Sequence, residues 1–161
     1  MPDEFDDQLN QPPAFFPYEE DEEEQVESEP VEVTVEGLYV AETNGSVQRF
    51  VMLADESGRR VPIIIGLFEA TAISMAFEGE KSDRPMTHDL MRTLLHRLGG
   101  SLVRVLIDDI WTNTYYAKLF IEDRSGQYEV DCRPSDAIAL ALRVGCPIWV
   151  KAQVFDKTAD G

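Results

Sequence analysis

Basic residues are scarce in this chain. Its 161 residues carry 14 Lys and Arg against 31 Asp and Glu, a formal net charge of −17. A field of that sign repels nucleic-acid phosphate and argues against a basic arm or stripe that grips duplexes through counterion release. Histidine is nearly absent, with two residues, and cysteine is limited to Cys132 and Cys146, with no CxxC spacing. No zinc ligand set or disulfide framework follows from them; two cysteines among apolar neighbours read as buried free thiols. No apolar run approaches the roughly 20 residues that cross a bilayer. The N-terminus shows no basic patch followed by an apolar stretch, so no signal peptide is expected, and the cytoplasm is the default compartment. A Walker loop and GxGxxG are also missing, which disfavours P-loop and dinucleotide-binding chemistry.

The acids that are present are unevenly placed. Residues 1–30 hold twelve acids and no Lys or Arg, leaving 19 acids against 14 bases in residues 31–161. The first segment, with an unbroken acidic run from Glu19 to Glu24 behind Pro12, Pro13 and Pro17, cannot bury enough apolar surface to offset its ordering entropy. It reads as a disordered acidic tail. Phe15, Phe16 and Tyr18 inside it are either a short docking motif for a partner or stray aromatics in a solubilising segment. Residues 31–155 form the expected domain, and 156–161 an expected frayed end.

Within the domain, Val31, Val33 and Val35 alternate with polar residues, and Asn44-Gly45 supplies a hairpin turn. Val47 to Leu53 alternates again, and Ser57-Gly58 turns the chain into Val61-Pro62-Ile63-Ile64-Ile65. That continuously apolar run predicts a strand covered on both faces. A helix is predicted over Leu67–Phe77. A second runs from Thr87, a candidate N-cap, with Leu90, Met91, Leu94, Leu95 and Leu98 as its apolar stripe and Asp89, Arg92, His96 and Arg97 on a wet face. Three more alternating strands follow, then Asp136 to Arg143, six apolar residues flanked by charges. A helix apolar on every side must be buried on every side, so this one is predicted to be central, with Ala139 and Ala141 close-packed. Arg143, in its last turn, is expected to tolerate Gln. A short strand, Pro147 to Val150, completes the series. The expected fold class is α+β: one compact domain with an antiparallel or mixed sheet and about three helices.

The order contains an internal repeat. Shifted by 67 residues, Glu69-Ala70-Thr71-Ala72-Ile73 falls on Asp136-Ala137-Ile138-Ala139-Leu140, and the preceding strand pairs align with an acidic turn in each. Two strand–turn–strand–helix units, each with an acid in the helix's first turn, suggest a duplicated pseudo-twofold core.

Four motifs read together carry a resemblance: Pro62-Ile63-Ile64-Ile65-Gly66 leading to Glu69-Ala70, Arg84-Pro85-Met86-Thr87-His88-Asp89-Leu90, Asn113-Thr114-Tyr115-Tyr116-Ala117, and Arg133-Pro134-Ser135-Asp136-Ala137. In order and spacing, from about Val31 to Val154, the chain resembles the bifunctional nuclease domain family of bacteria and plants. The resemblance implies an α+β fold and nuclease activity on RNA and DNA, without naming the catalytic residues.

Phosphodiester hydrolysis needs an activated water and positive charge on the developing phosphorane. Glu69 and Asp136 are candidate catalytic carboxylates and candidate ligands of a divalent ion, magnesium or manganese; the alternative is that each only compensates a helix dipole. Arg84 and Arg133 each precede a proline and a helix start, and are candidate phosphate grips. Their alternative is a buried ion pair, Arg133 with Asp89 or Arg84 with Asp136. His88 is a candidate general base or a structural histidine. Thr87 and Ser135 read as caps. Tyr115 and Tyr116 could stack on bases, although in a strand one of them must face the core. Two functions stay open: a nuclease assisted by a divalent metal, expected as a homo-oligomer, and a non-catalytic assembly module whose acidic tail contacts a basic protein.

Overall fold

The computed structural model describes residues 29–159; the acidic run and the Phe15, Phe16, Tyr18 patch lie outside the described residues. The chain opens with β1 (Pro30–Thr43), β2 (Ser46–Ala54), β3 (Arg60–Ile65) and α1 (Leu67–Glu78). Asn44 and Gly45, at φ 52° and 75°, make the first hairpin turn, a left-handed geometry these two residue types adopt at least cost. After α2 (Thr87–Arg97) the order repeats as β4 (Ser101–Trp111), β5 (Thr114–Asp123), β6 (Gly126–Cys132) and α3 (Pro134–Val144). β7 (Ile148–Lys151) and α4 (Ala152–Ala159) follow.

The seven strands of the described residues join one sheet in the order β3-β2-β1-β7-β4-β5-β6. Each three-stranded meander is antiparallel. β7 stands between them, antiparallel to β1 and parallel to β4, so the sheet is mixed. The strand order reads the same outward from β7 in both directions. α1 starts at residue 67 and α3 at residue 134, the offset of the sequence repeat. The fold is α+β, built from two strand–strand–strand–helix units.

α3 packs on β4 and β5, with α1 and α2 on its flanks. Pro134 at its first position suits a helix start, where a missing N–H is no loss. Residues Ala137 to Ala141 are all buried, which takes in every side of the helix over that stretch. They meet Leu53, Ile73 and Ile107 in a single core. Among the described residues, no helix is long and apolar enough to cross a membrane.

Among the described residues there are four helices, and the last, α4, buries Val154 and Phe155 in the core. Several local expectations fail, each for a physical reason. β3 is an edge strand, not one covered on both faces: Val61, Ile63 and Ile65 are buried while Ile64 is 62% exposed. Pro62, which cannot donate to a ladder, fits that edge.

α2 is rotated relative to expectation. Its Leu90, Met91, Leu94 and Leu98 are exposed, while Leu95 packs against the core and His88 and Asp89 also turn inward. Arg143 receives Asp89. Its side chain is 6% exposed, and its Nε donates to Asp89 Oδ1 at 2.9 Å. Nη1 donates to the Ala139 carbonyl at 2.9 Å, and the Arg143 carbonyl accepts from Arg92 Nη1 at 3.1 Å. The expected tolerance of Gln at this position is therefore corrected. Arg143→Gln removes a charge-assisted bond and leaves Asp89 without its cation, at a cost of about 2 kcal/mol, which should lower Tm by roughly 5–10 °C. A thermal melt within about 1 °C of wild type would contradict the pairing.

Candidate functional site

Helices α1, α2 and α3 each place an acid at their third residue: Glu69, Asp89 and Asp136. Their N-caps are Gly66, Met86 and Arg133, none with a side-chain capping bond, so Thr87 and Ser135 are not the caps the sequence suggests. Asp89 caps in the reverse sense, accepting the Met86 backbone N–H at 3.0 Å. Glu69 and Asp136 do something else.

Both point to Arg133. Arg133 Nε and Nη2 donate to Asp136 Oδ2 and Oδ1 at 2.8 and 2.9 Å, a bidentate grip within one helix turn. Its Nη1 donates to Glu69 Oε1 at 2.9 Å, reaching across to the first repeat. Gly66 contributes to this by having no side chain: a Cβ there would collide with the Glu69 carboxylate, which folds back over it. The two repeats are thus joined, acid to acid, through one guanidinium.

His88 completes the cluster. Its ring is buried, and Nε2 lies 3.0 Å from Asp136 Oδ1. Burial pushes the Asp136 carboxyl up, but hydrogen bonds from Arg133 and His88 outweigh it and hold the group below the ordinary carboxylate range. An ionised carboxylate only accepts hydrogen bonds, so His88 donates through an Nε2 proton to Asp136 Oδ1. For Arg133, the hydrogen bond and charge of Asp136, then the bond to Glu69, raise the guanidinium further above its usual value.

Four of the five candidate site residues, Glu69, His88, Arg133 and Asp136, therefore converge. Arg84 does not. It is exposed in the loop between α1 and α2 and, among the described residues, makes no ion pair or hydrogen bond. The alternative pairings are also corrected: Arg133 holds Asp136 and Glu69 rather than Asp89, and Arg143 rather than Arg133 holds Asp89. Of the two tyrosines, Tyr115 faces inward, its hydroxyl donating to the Pro62 carbonyl at 2.9 Å, and Tyr116 is exposed.

Beside the cluster lies a cleft of about 270 Å³, lined by Ile65, Gly66, Glu69, Asn113, Tyr115 and Arg133 among others. The hairpin at its wall turns through Thr112 and Asn113 at φ 49° and 60°. A β-branched residue in that region is strained, by about 1 kcal/mol or more. Arg133 is 63% exposed and, among the described residues, uses three of its five N–H donors on the two carboxylates, leaving two for a ligand. The chemistry on offer is an anchored guanidinium next to an oriented aspartate–histidine pair.

A resident metal does not fit this arrangement. Glu69 and Asp136, the candidate ligands, converge on Arg133, a cation already in place. Among the described residues, no group of three or more His, Cys, Asp or Glu is placed to hold an ion. Cysteine nucleophiles are disfavoured as well. Burial, with Asp136, Asp131 and Asp108 nearby, pushes the Cys132 thiol up to about 12, and burial takes Cys146 to about 11.

Comparison with known proteins bears on these residues. The family model of the bifunctional nuclease domain matches residues 51–160, which include all four members of the cluster. An uncharacterized protein of Mycobacterium tuberculosis is 44% identical over 124 residues, covering 76% of this chain and 73% of that protein. Bifunctional nuclease 1 of Oryza sativa subsp. indica is 26% identical over 105 residues, 63% of this chain and 32% of the plant protein. Bifunctional nuclease 2 of Arabidopsis thaliana is 27% identical over 101 residues, 61% and 31% of the two chains. The chain thus spans about a third of the length of these plant relatives. With a match over more than half its length, the chain belongs to the bifunctional nuclease domain family.

Proposed function

We propose that this protein is a nuclease that hydrolyses phosphodiester bonds of RNA or DNA at the Arg133 cluster. The observation that carries the reading is Arg133 itself, fixed by two carboxylates at a cleft wall with two N–H donors unused. A guanidinium held in this way can grip a phosphate and meet the charge that develops on it, with little reorganisation at the moment of reaction. His88, oriented by Asp136, supplies the base that takes a proton from the attacking water through Nδ1. Glu69 positions Arg133 from the other repeat. The plant relatives, named bifunctional nucleases, support the reaction class. The unpaired thiols Cys132 and Cys146 suit a reducing compartment such as the cytoplasm.

The second reading, a non-catalytic assembly module, is favoured by one observation: the two carboxylates outnumber the one guanidinium between them, a poor welcome for phosphate.

Single-turnover cleavage of labelled RNA and single-stranded DNA, with magnesium, manganese or chelator, separates the two. Wild type is expected to cleave, and Asp136→Asn to lower the rate at least about tenfold, roughly 1.4 kcal/mol of transition-state stabilisation. No cleavage by wild type under any condition would favour the assembly module, and undiminished cleavage by Asp136→Asn would remove the dyad from the mechanism.

A further inference from the structure

α2 leaves most of its apolar stripe outside the core. Leu95 packs against the core beside inward-turned His88 and Asp89, whereas Leu90, Met91, Leu94 and Leu98 are 51%, 36%, 51% and 83% exposed. At 3.6 residues per turn these four fall within an arc of about 100°. Thr87 shares that arc and no acid or base lies within it; Arg97 stands at its margin.

We propose that this face is a homodimer interface, in which two copies of the chain pack α2 against α2 in antiparallel fashion about a twofold axis through Leu94. Self-complementarity chooses the occupant. Leu90, Leu94 and Leu98 recur every four residues, so the ridge reads the same in both directions from its centre. In an antiparallel pair Leu90 meets Leu98 of the second copy and Leu94 meets its own equivalent, an isologous contact. Charge points the same way. The ridge offers no charge for a basic protein or a nucleic acid to pair with, and none of its own to repel the same ridge on a second copy of this acidic chain. Area sets the strength. Four such side chains expose on the order of 400 Å² of apolar surface, a size that marks an interaction site on a soluble protein. Two copies bury about twice that, below the roughly 1,200 Å² of a standard interface, so the dimer is weak and reversible.

Sedimentation equilibrium on the full chain tests this. The expected result is a concentration-dependent monomer–dimer equilibrium that tightens as salt screens the repulsion between copies. Leu94→Glu sets two like charges against each other on the axis and should weaken association at least about tenfold, or 1.4 kcal/mol. Because Leu94 is half-exposed in the monomer, the variant should keep the wild-type circular dichroism. A mixture of Leu90→Cys and Leu98→Cys chains should form a disulfide-linked dimer under oxidation far faster than either alone or wild type. A protein that stays monomeric at every concentration, a dimer that Leu94→Glu leaves intact, or a dimer that salt dissociates would each overturn the proposal.

Discussion

Ala139→Asp is expected to abolish soluble folding. Ala139 has no exposed surface and sits mid-helix in α3, between fully buried Ile138 and nearly buried Leu140. Both meanders deliver side chains to that core, Leu53 from the first and Ile107 from the second. A carboxylate placed there has no cation to meet: the guanidiniums of α3 and its cap, Arg143 and Arg133, are bound to Asp89, Glu69 and Asp136. An unpaired buried charge costs several kcal/mol even after relaxation, against a total stability of about 5–15 kcal/mol for a domain. Soluble expression and near-UV circular dichroism check this. A soluble Ala139→Asp protein with a native near-UV spectrum would contradict burial of α3 on all sides.

Arg133→Gln should act on both stability and function. Without the guanidinium, Glu69 and Asp136 are left as two carboxylates converging on one point, and the tie between the repeats is lost. Its pH dependence identifies the mechanism. The Asp136 carboxyl is held below 3.8 in the folded protein, so its contribution to stability is complete above that pH and disappears as pH falls through the folded value. The variant's amide carries no charge and cannot depress the carboxyl in the same way. The gap in Tm between wild type and Arg133→Gln should therefore be widest at neutral pH and close below 3.8. A gap that widens in acid would show that Arg133 acts through something other than Asp136.

Much of this architecture is legible in residue order. Strand alternation, the Asn44-Gly45 turn and the repeat foretell two meanders each followed by a helix. The repeat also equates Glu69 with Asp136, and the structure places both at the third residue of their helices. Periodicity, however, reveals that a helix is two-faced, not which face meets the core. In α2 the leucine stripe suggests burial, yet Leu95 is the part of it that packs on the core, and Arg143 offers Asp89 a partner that only an inward polar face can reach. The Val61–Ile65 run could not disclose its edge position, because an apolar strand reads alike at the centre and the rim. α4 carries no cap or stop signal and only two buried apolar residues, Val154 and Phe155. Arg133 and Asp136, three apart across a helix start, already had the spacing of a pair. Arg84-Pro85 imitates Arg133-Pro134 in sequence, but it lies in an exposed loop with no pseudo-equivalent acid at hand.

The central claim is that one guanidinium, shared by the two repeats, both ties Glu69 to Asp136 and grips the scissile phosphate. Its most direct test is single-turnover cleavage of one labelled RNA by wild type, Arg133→Lys and Arg133→Gln, at a temperature where all three are folded. Loss of a preorganised charge donor predicts a fall of about 10²–10³ in rate for Arg133→Gln, roughly 2.7–4 kcal/mol. Arg133→Lys, which keeps the charge but not the bidentate geometry, should fall in between. Cleavage by folded Arg133→Gln at the wild-type rate would contradict the claim and leave Arg133 as a structural tie alone.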